Sequence, residues 1–180
     1  MPELPDIELY LHVLRSHTVG QTLNAVRLRS AFLLRTVEPP LSAAHGQPVT
    51  GFHRIGKRIV FEFPDDLFFV LHLMIAGRLQ WKKPDAKIGG RMDLAAFDFD
   101  HGTLVLTEAS KKKRAKLHVV RGRAALADHD PGGLEPLAID AKPFVQTLKA
   151  RHHTITRAPP HPTTPRGTGN PYSDQMLCPA

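Results

Sequence analysis

Apolar positions along the chain follow two periods. Near the N-terminus Ile7, Tyr10, Leu11 and Leu14 recur at the i, i+3, i+4, i+7 spacing of one buried face, which predicts a helix over residues 5–18. Pro5 suits a first turn, Asp6 and Glu8 suit the positive end of the helix dipole, and Gly20 supplies a stop. Beyond it the period shortens to two, as where Ile59, Phe61 and Phe63 alternate with Arg58, Val60 and Glu62. Strands are predicted over about 22–30, 32–37, 49–55, 57–63, 67–75, 92–99, 103–108 and 116–121. Pro39-Pro40, Pro64-Asp65-Asp66, Gly89-Gly90 and His101-Gly102 mark the turns between them. Short strands joined by tight turns point to an antiparallel sandwich or barrel.

The character changes near Asp128, where Asp130-Pro131-Gly132-Gly133 reads as a linker or turn. Residues 140–150 again look helical, with Phe144, Val145 and Leu148 on the buried side. Residues 151–180 carry six prolines, at 159, 160, 162, 165, 171 and 179. A proline inside a helix costs about 3 kcal/mol, so regular helix across this tail is disfavoured.

Composition narrows the class. The 180 residues are 42% hydrophobic, enough for a real core. No run of about 18 apolar residues suggests a membrane span, and the start lacks the basic and apolar regions of a signal peptide. A soluble, cytoplasmic protein is expected. One cysteine excludes a disulfide framework and any Cys-rich zinc site built from these residues alone.

Charge sharpens the picture. Lys and Arg number 24 against 17 Asp and Glu, a net charge of +7. Residues 1–50 hold 4 of each sign and residues 126–180 hold 5 of each, so the whole excess lies in 51–125, with 15 basic and 8 acidic residues. Lys111, Lys112, Lys113, Arg114 and Lys116 form a dense run, joined in the same segment by Arg54, Lys57, Arg58, Arg78, Lys82 and Lys83. Such a run alone is as consistent with a solvated loop as with a binding face. A basic face spread over several strands fits a nucleic-acid partner better than a single tail does.

Candidate chemistry starts at Pro2. Aminopeptidases commonly remove a methionine that precedes proline, which would leave a secondary amine at the N-terminus. An α-amino group has a pKa of roughly 7.7–8.0, so it is partly neutral and nucleophilic at physiological pH. Amines attack electrophilic carbons to give iminium intermediates, and the adjacent Glu3 can move protons. Met-Pro is also simply a common start. Lys57, after Gly56, and Arg78, after Gly77, are candidate phosphate contacts at turns. Met74 and Ile75 lie at the end of an apolar strand, where core packing is the ordinary reading. Gly167-Thr168-Gly169-Asn170 is a short glycine-rich turn able to offer backbone N–H groups to a phosphate. The eleven histidines show no convincing metal spacing.

Together these residues carry a resemblance. Met1-Pro2-Glu3-Leu4-Pro5-Asp6-Ile7-Glu8 resembles the start of the formamidopyrimidine-DNA glycosylase / endonuclease VIII family of base-excision repair enzymes. The likeness extends through Gly56-Lys57, His72-Leu73 with Gly77-Arg78-Leu79, and Asp130-Pro131-Gly132-Gly133-Leu134-Glu135-Pro136-Leu137 to Gly167-Thr168-Gly169-Asn170-Pro171-Tyr172-Ser173-Asp174. It implies an α+β fold: an N-terminal antiparallel β-sandwich with flanking helices over 1–126, then a partial helix–two-turn–helix domain over 127–180. It implies a bifunctional glycosylase and abasic-site lyase acting on oxidised bases. Pro2 would form a Schiff base with C1′, Glu3 would handle protons at the sugar, and Lys57 would hold a phosphate. Arg78, Lys111, Lys112, Lys113, Arg114 and Asn170 would bind DNA, with Met74 and Ile75 at the lesion. The implied partner is double-stranded DNA containing damaged bases or abasic sites, met by a monomer with no membrane partner.

Three departures qualify the likeness. The family often carries one zinc in a C-terminal finger, and the chain ends where that finger should begin, so no cofactor is expected in these residues. Residues 158–166, where the family has a helix and its exit, are rich in proline. Better-known relatives have Gly-Met-Ser after His-Leu where this chain has Met74-Ile75-Ala76, and an Arg and Phe on a later loop where it has the basic run near Ser110–Arg114. Lesion preference therefore does not transfer. A non-catalytic, truncated DNA-binding remnant is the alternative. A basic RNA-binding β-domain ranks lower, because few aromatics interleave the basic run.

Overall fold

The computed structural model describes residues 2–133 together with 135, 137, 138 and 140. Helix α1 (Leu4–Thr18) leads into nine strands: β1 (Thr22–Leu28), β2 (Gln47–Pro48), β3 (Gly51–Ile55), β4 (Arg58–Phe63), β5 (Leu67–His72), β6 (Gly77–Lys82), β7 (Asp93–Phe99), β8 (Gly102–Glu108) and β9 (Lys116–Arg121). A short helix α2 (Arg123–Ala127) follows. Two antiparallel sheets form, one of five strands in the order β2-β1-β7-β8-β6 and one of four in the order β3-β4-β5-β9. This is the α+β antiparallel sandwich that the resemblance implies, and one of the two architectures, sandwich or barrel, that the alternation points to. Of residues 127–180, expected as a partial helix–two-turn–helix domain, only 127–133, 135, 137, 138 and 140 are described; the 140–150 helix (apart from Asp140), Asn170 and Cys178 lie outside the described residues.

The core sits between the sheets. Phe61 of β4 meets Phe97 of β7 with ring centroids 5.6 Å apart, and Phe52 and Phe69 pack around them. Ile7, Leu11 and Leu14 close one flank, which is why α1 carries its apolar stripe. The outer face of the four-stranded sheet is also apolar: Val60, Phe68, Val70 and Val120 are covered by Leu126 of α2. Among the described residues no helix is long and apolar enough to cross a membrane.

Three elements differ from the sequence expectation. The strand expected over 32–37 is a 3-10 turn, Ala31–Leu33, followed by a single bridge from Leu34 to Leu117. The backbone bonds locally there, Leu33 N–H donating to the Ser30 carbonyl at 3.1 Å, so no ladder forms although Phe32 points outward and Leu33 is buried. The strand expected over 67–75 stops at His72, because the chain turns back at Met74, with φ +56, and Gly77 N–H donates to the Leu73 carbonyl at 3.0 Å. A Cβ at Gly77 would lie 2.3 Å from that oxygen, so the turn requires glycine. The residues after it form β6, with Leu79 inward and Arg78 and Gln80 outward, a strand not predicted from sequence.

Candidate active site and nucleic-acid face

The first turn of α1 builds one half of the site. Pro2 and Glu3 are buried, and Glu3 is the N-cap in extended conformation. Its N–H donates to the Asp6 carboxylate at 2.9 Å, and its carbonyl accepts the Ile7 N–H at 2.9 Å. These capping bonds fix the backbone that carries Pro2. Gly56, at φ +59, lets the β3–β4 turn reverse tightly, with its missing Cβ facing Pro131 at 3.6 Å. Lys57 then reaches the helix start, its Nζ 3.8 Å from Glu3 Oε1. Burial pulls the Lys57 pKa below its ordinary value, and the Glu3 charge opposes that shift. Of the sequence candidates, Glu3 and Lys57 are thus in contact, with Pro2 adjacent in the chain.

Arg54 corrects the sequence reading of a uniformly basic face. Its side chain is only 7% exposed and binds Glu8 of α1, with Nε 2.5 Å from Oε1, and Glu135 beyond the Asp130–Gly133 turn. It braces α1 against β3 and does not offer its charge outward. Sequence could not show this, because its partners lie 46 and 81 residues away.

Pro2 also lines a cavity of about 290 Å³ between α1 and the five-stranded sheet. Tyr10, Val13, Leu79 and Leu104 make its walls mostly apolar, and Asp6 and Arg78 supply charge. His17 stacks on Trp81 there, with centroids 5.1 Å apart. Arg78 is exposed, its Nη1 donating to the Gly77 carbonyl at 2.7 Å.

Strand register gathers the remaining candidates at one end of the sandwich. Arg58, His72 and Lys116 stand directly opposite one another across β4, β5 and β9, a row of basic side chains on one sheet face. Lys57 precedes that row in β4 and Met74-Ile75 follow it after β5. Ile75 is half exposed at the turn tip, and Met74 is partly buried. Burial and the surrounding cations press the His72 pKa down to about 4. His118 is likewise held down to about 4 by desolvation, then by His129, Lys116, Arg58 and Arg35. Both imidazoles are neutral at pH 7.

The basic loop between β8 and β9 joins the same end, because Gly77 pairs with Glu108 at the base of that loop. Glu108 is fully buried, and sequence reasoning passed over it. Its carboxylate accepts the Arg114 N–H at 3.0 and 2.9 Å and the Ala115 N–H at 3.1 Å, while its carbonyl accepts Lys113 Nζ. The loop is therefore held, not loose, with Lys111, Lys112 and Arg114 exposed. The available signal was an acid at the end of an apolar strand, directly before a run of cations.

Among the described residues no group of three or more His, Cys, Asp or Glu side chains is placed to hold a metal ion. With one cysteine in the sequence, a Cys-rich zinc finger does not fit the donors of these 180 residues.

Comparison with known proteins identifies the family. Residues 1–119 match the family model of the formamidopyrimidine-DNA glycosylase N-terminal domain. The formamidopyrimidine-DNA glycosylase of Solibacter usitatus is 28% identical over 190 residues, covering 98% of this chain and 64% of its own length. That of Enterococcus faecalis is 29% identical over 189 residues, with the same coverages of 98% and 64%. The chain thus spans about 64% of the length of these curated relatives. In structure it is similar to the Lactococcus lactis formamidopyrimidine-DNA glycosylase non-covalently bound to DNA containing an abasic site, at a TM-score of 0.84, 24% identity, and coverages of 97% and 68%. A complex of the LlFpg protein with a THF-DNA and an inhibitor gives a TM-score of 0.86 at 25% identity, covering 98% of this chain and 66% of that one.

Proposed function

The chain belongs to the formamidopyrimidine-DNA glycosylase family, and on that premise we propose that it is a base-excision DNA glycosylase with abasic-site lyase activity on oxidised bases. One observation carries the reading: the residue after Pro2 is a fully buried glutamate whose carboxylate faces Lys57 at 3.8 Å. A buried acid and a largely buried amine beside a latent secondary amine form a proton-handling site next to a nucleophile.

Removal of Met1 frees the Pro2 nitrogen. Its lone pair attacks C1′ as the glycosidic bond breaks, and the bonding electrons leave with the base, which takes up a proton. The Glu3 carboxylate takes the proton that the attacking nitrogen sheds and delivers it to the ring oxygen as the sugar opens. A secondary amine forms an iminium that has no N–H proton to lose, so the positive charge persists and acidifies C2′–H. Loss of that proton expels the 3′ phosphate, and a second elimination expels the 5′ phosphate. Lys57 and the Arg58–His72–Lys116 row hold the backbone phosphates during these steps. The damaged base must first leave the stack, which costs a few kcal/mol and less for a weakened pair.

Incubation with a duplex carrying one abasic site tests the reading. Strand scission is expected, with phosphate at both new ends, only from protein lacking Met1. Intact duplex with correctly processed protein would overturn it. A second reading, non-catalytic DNA binding, rests on the held loop that exposes Lys111, Lys112 and Arg114. It predicts salt-dependent binding without scission.

A further inference from the structure

Phe32 is 80% exposed, and Val37 is the one large apolar residue among those described that is more so. Its backbone is nonetheless pinned. Arg29 and Ser30 N–H groups donate to the Leu94 carbonyl at 2.9 and 3.2 Å, and Leu33 N–H donates to the Ser30 carbonyl at 3.1 Å. Leu33, 2% exposed, anchors the turn in the core, and Arg35 N–H donates to the Leu117 carbonyl at 2.9 Å. A rigid turn thus holds an aromatic ring out into solvent.

Cations surround that ring. A shallow recess of about 440 Å³ is lined by Phe32, Arg29, Arg91, Lys113 and Asp93. The Asp93 carboxylate is already bound to the Gly89 and Gly90 N–H groups at 2.9 and 2.7 Å. Lys113 is held in place by its bond to the Glu108 carbonyl. Along the chain Phe32 and Lys113 are 81 residues apart, so the basic run looks devoid of aromatics in sequence. In space the two line one recess.

We propose that Phe32 is a stacking platform for an unpaired base of a DNA strand whose phosphates lie on Arg29, Arg91 and Lys113. A base is flat and apolar on its faces and anionic along its backbone, which matches an exposed ring ringed by cations. An apolar protein partner would leave three cations facing a greasy surface, so charge complementarity favours a nucleic-acid strand. The proposal rests on the reading of the chain as a DNA-acting protein. It adds a contact beside the basic loop, through residues outside the Pro2–Glu3–Lys57 group.

The test uses the whole chain and a duplex with one 2-aminopurine opposite an abasic site, titrated at two salt concentrations. Wild-type protein should quench the 2-aminopurine. Phe32→Ala should abolish the quench and weaken binding on the order of tenfold, as loss of one base–aromatic stack does. Phe32→Leu, which keeps apolar bulk but no π face, should behave like Phe32→Ala, and Phe32→Trp should retain the quench. Arg91→Ala should weaken binding of all sequences alike and flatten the salt dependence. Because Phe32 is exposed, unchanged melting of each variant checks the fold. DNA binding by the wild type with equal affinity and quench in all Phe32 variants would overturn the platform and leave the DNA reading standing. No wild-type binding to any DNA would overturn both. A preference for an RNA strand of the same sequence would overturn the DNA assignment.

Discussion

Lys57 Nζ lies 3.8 Å from the Oε1 of Glu3, a carboxylate with no solvent exposure. The pair joins the β3–β4 turn to the start of α1, and so it couples the stability of that turn to the position of Pro2. Lys57→Met should destabilise the protein by about 1–3 kcal/mol, because it removes the cation that faces a buried carboxylate. In a Glu3→Gln background the same change should cost less. Urea unfolding of the four proteins measures the coupling, and equal costs in both backgrounds would refute it.

Glu108 should act as the clasp of the basic loop. Glu108→Ala removes the acceptor for the Arg114 and Ala115 N–H groups and leaves those donors near a buried site. A loss on the order of 3 kcal/mol is expected from unsatisfied buried donors. Amide exchange at Arg114 and Ala115 should accelerate well before that of the β5 core. Unchanged protection there would show that the carboxylate does not hold the loop.

The phenylalanine stack between the sheets should carry much of the fold's stability. Phe97 has no exposure and stacks 5.6 Å from Phe61. Phe97→Ala should cost about 3–5 kcal/mol, read as a lowered urea midpoint at unchanged slope. A loss below about 1 kcal/mol would contradict the packing described, given that range.

His72 should make stability depend on pH. Its pKa is lowered to about 4 by burial first, then by Arg58, Lys116, Lys57 and His118, from an unfolded value of 6.5. A group depressed in the folded state is protonated first in the unfolded state. Stability is therefore full above about pH 6.5, falls as pH drops through the window from 6.5 to about 4, and changes no further below it on this group's account. Urea midpoints at pH 7.5, 6, 5 and 4.5 should decline more steeply in wild type than in His72→Gln. Parallel slopes would remove His72 as the cause.

Much of this architecture was legible in the order of residues. The Ile7–Leu14 stripe marks α1, and the Arg58–Phe63 alternation marks β4, because each pattern reports a local geometry with one buried face. Strand β6 escaped notice because its inward positions, Leu79 and Trp81, sit among Arg78, Lys82 and Lys83, which read as a charged surface. The turn at Phe32 carried strand-like residues, yet its backbone found partners in Leu94 and Leu117 and not in a ladder. Arg54 looked like surface charge, and only the fold reveals the two carboxylates that bind it. Glu3 and Lys57 were marked as candidates by motif, whereas their contact depends on a turn 54 residues further on. Long-range register decides such contacts, and local pattern does not encode it.

The proposed nucleophile is the Pro2 nitrogen. Protein with Met1 removed, verified by intact mass, is incubated with an abasic-site duplex and borohydride, and the adduct is mapped by peptide mass spectrometry. The expected result is one covalent DNA adduct on the N-terminal peptide at the Pro2 nitrogen, absent when Met1 is retained. No adduct with processed protein, or an adduct on a lysine that persists when Met1 is retained, would contradict the account.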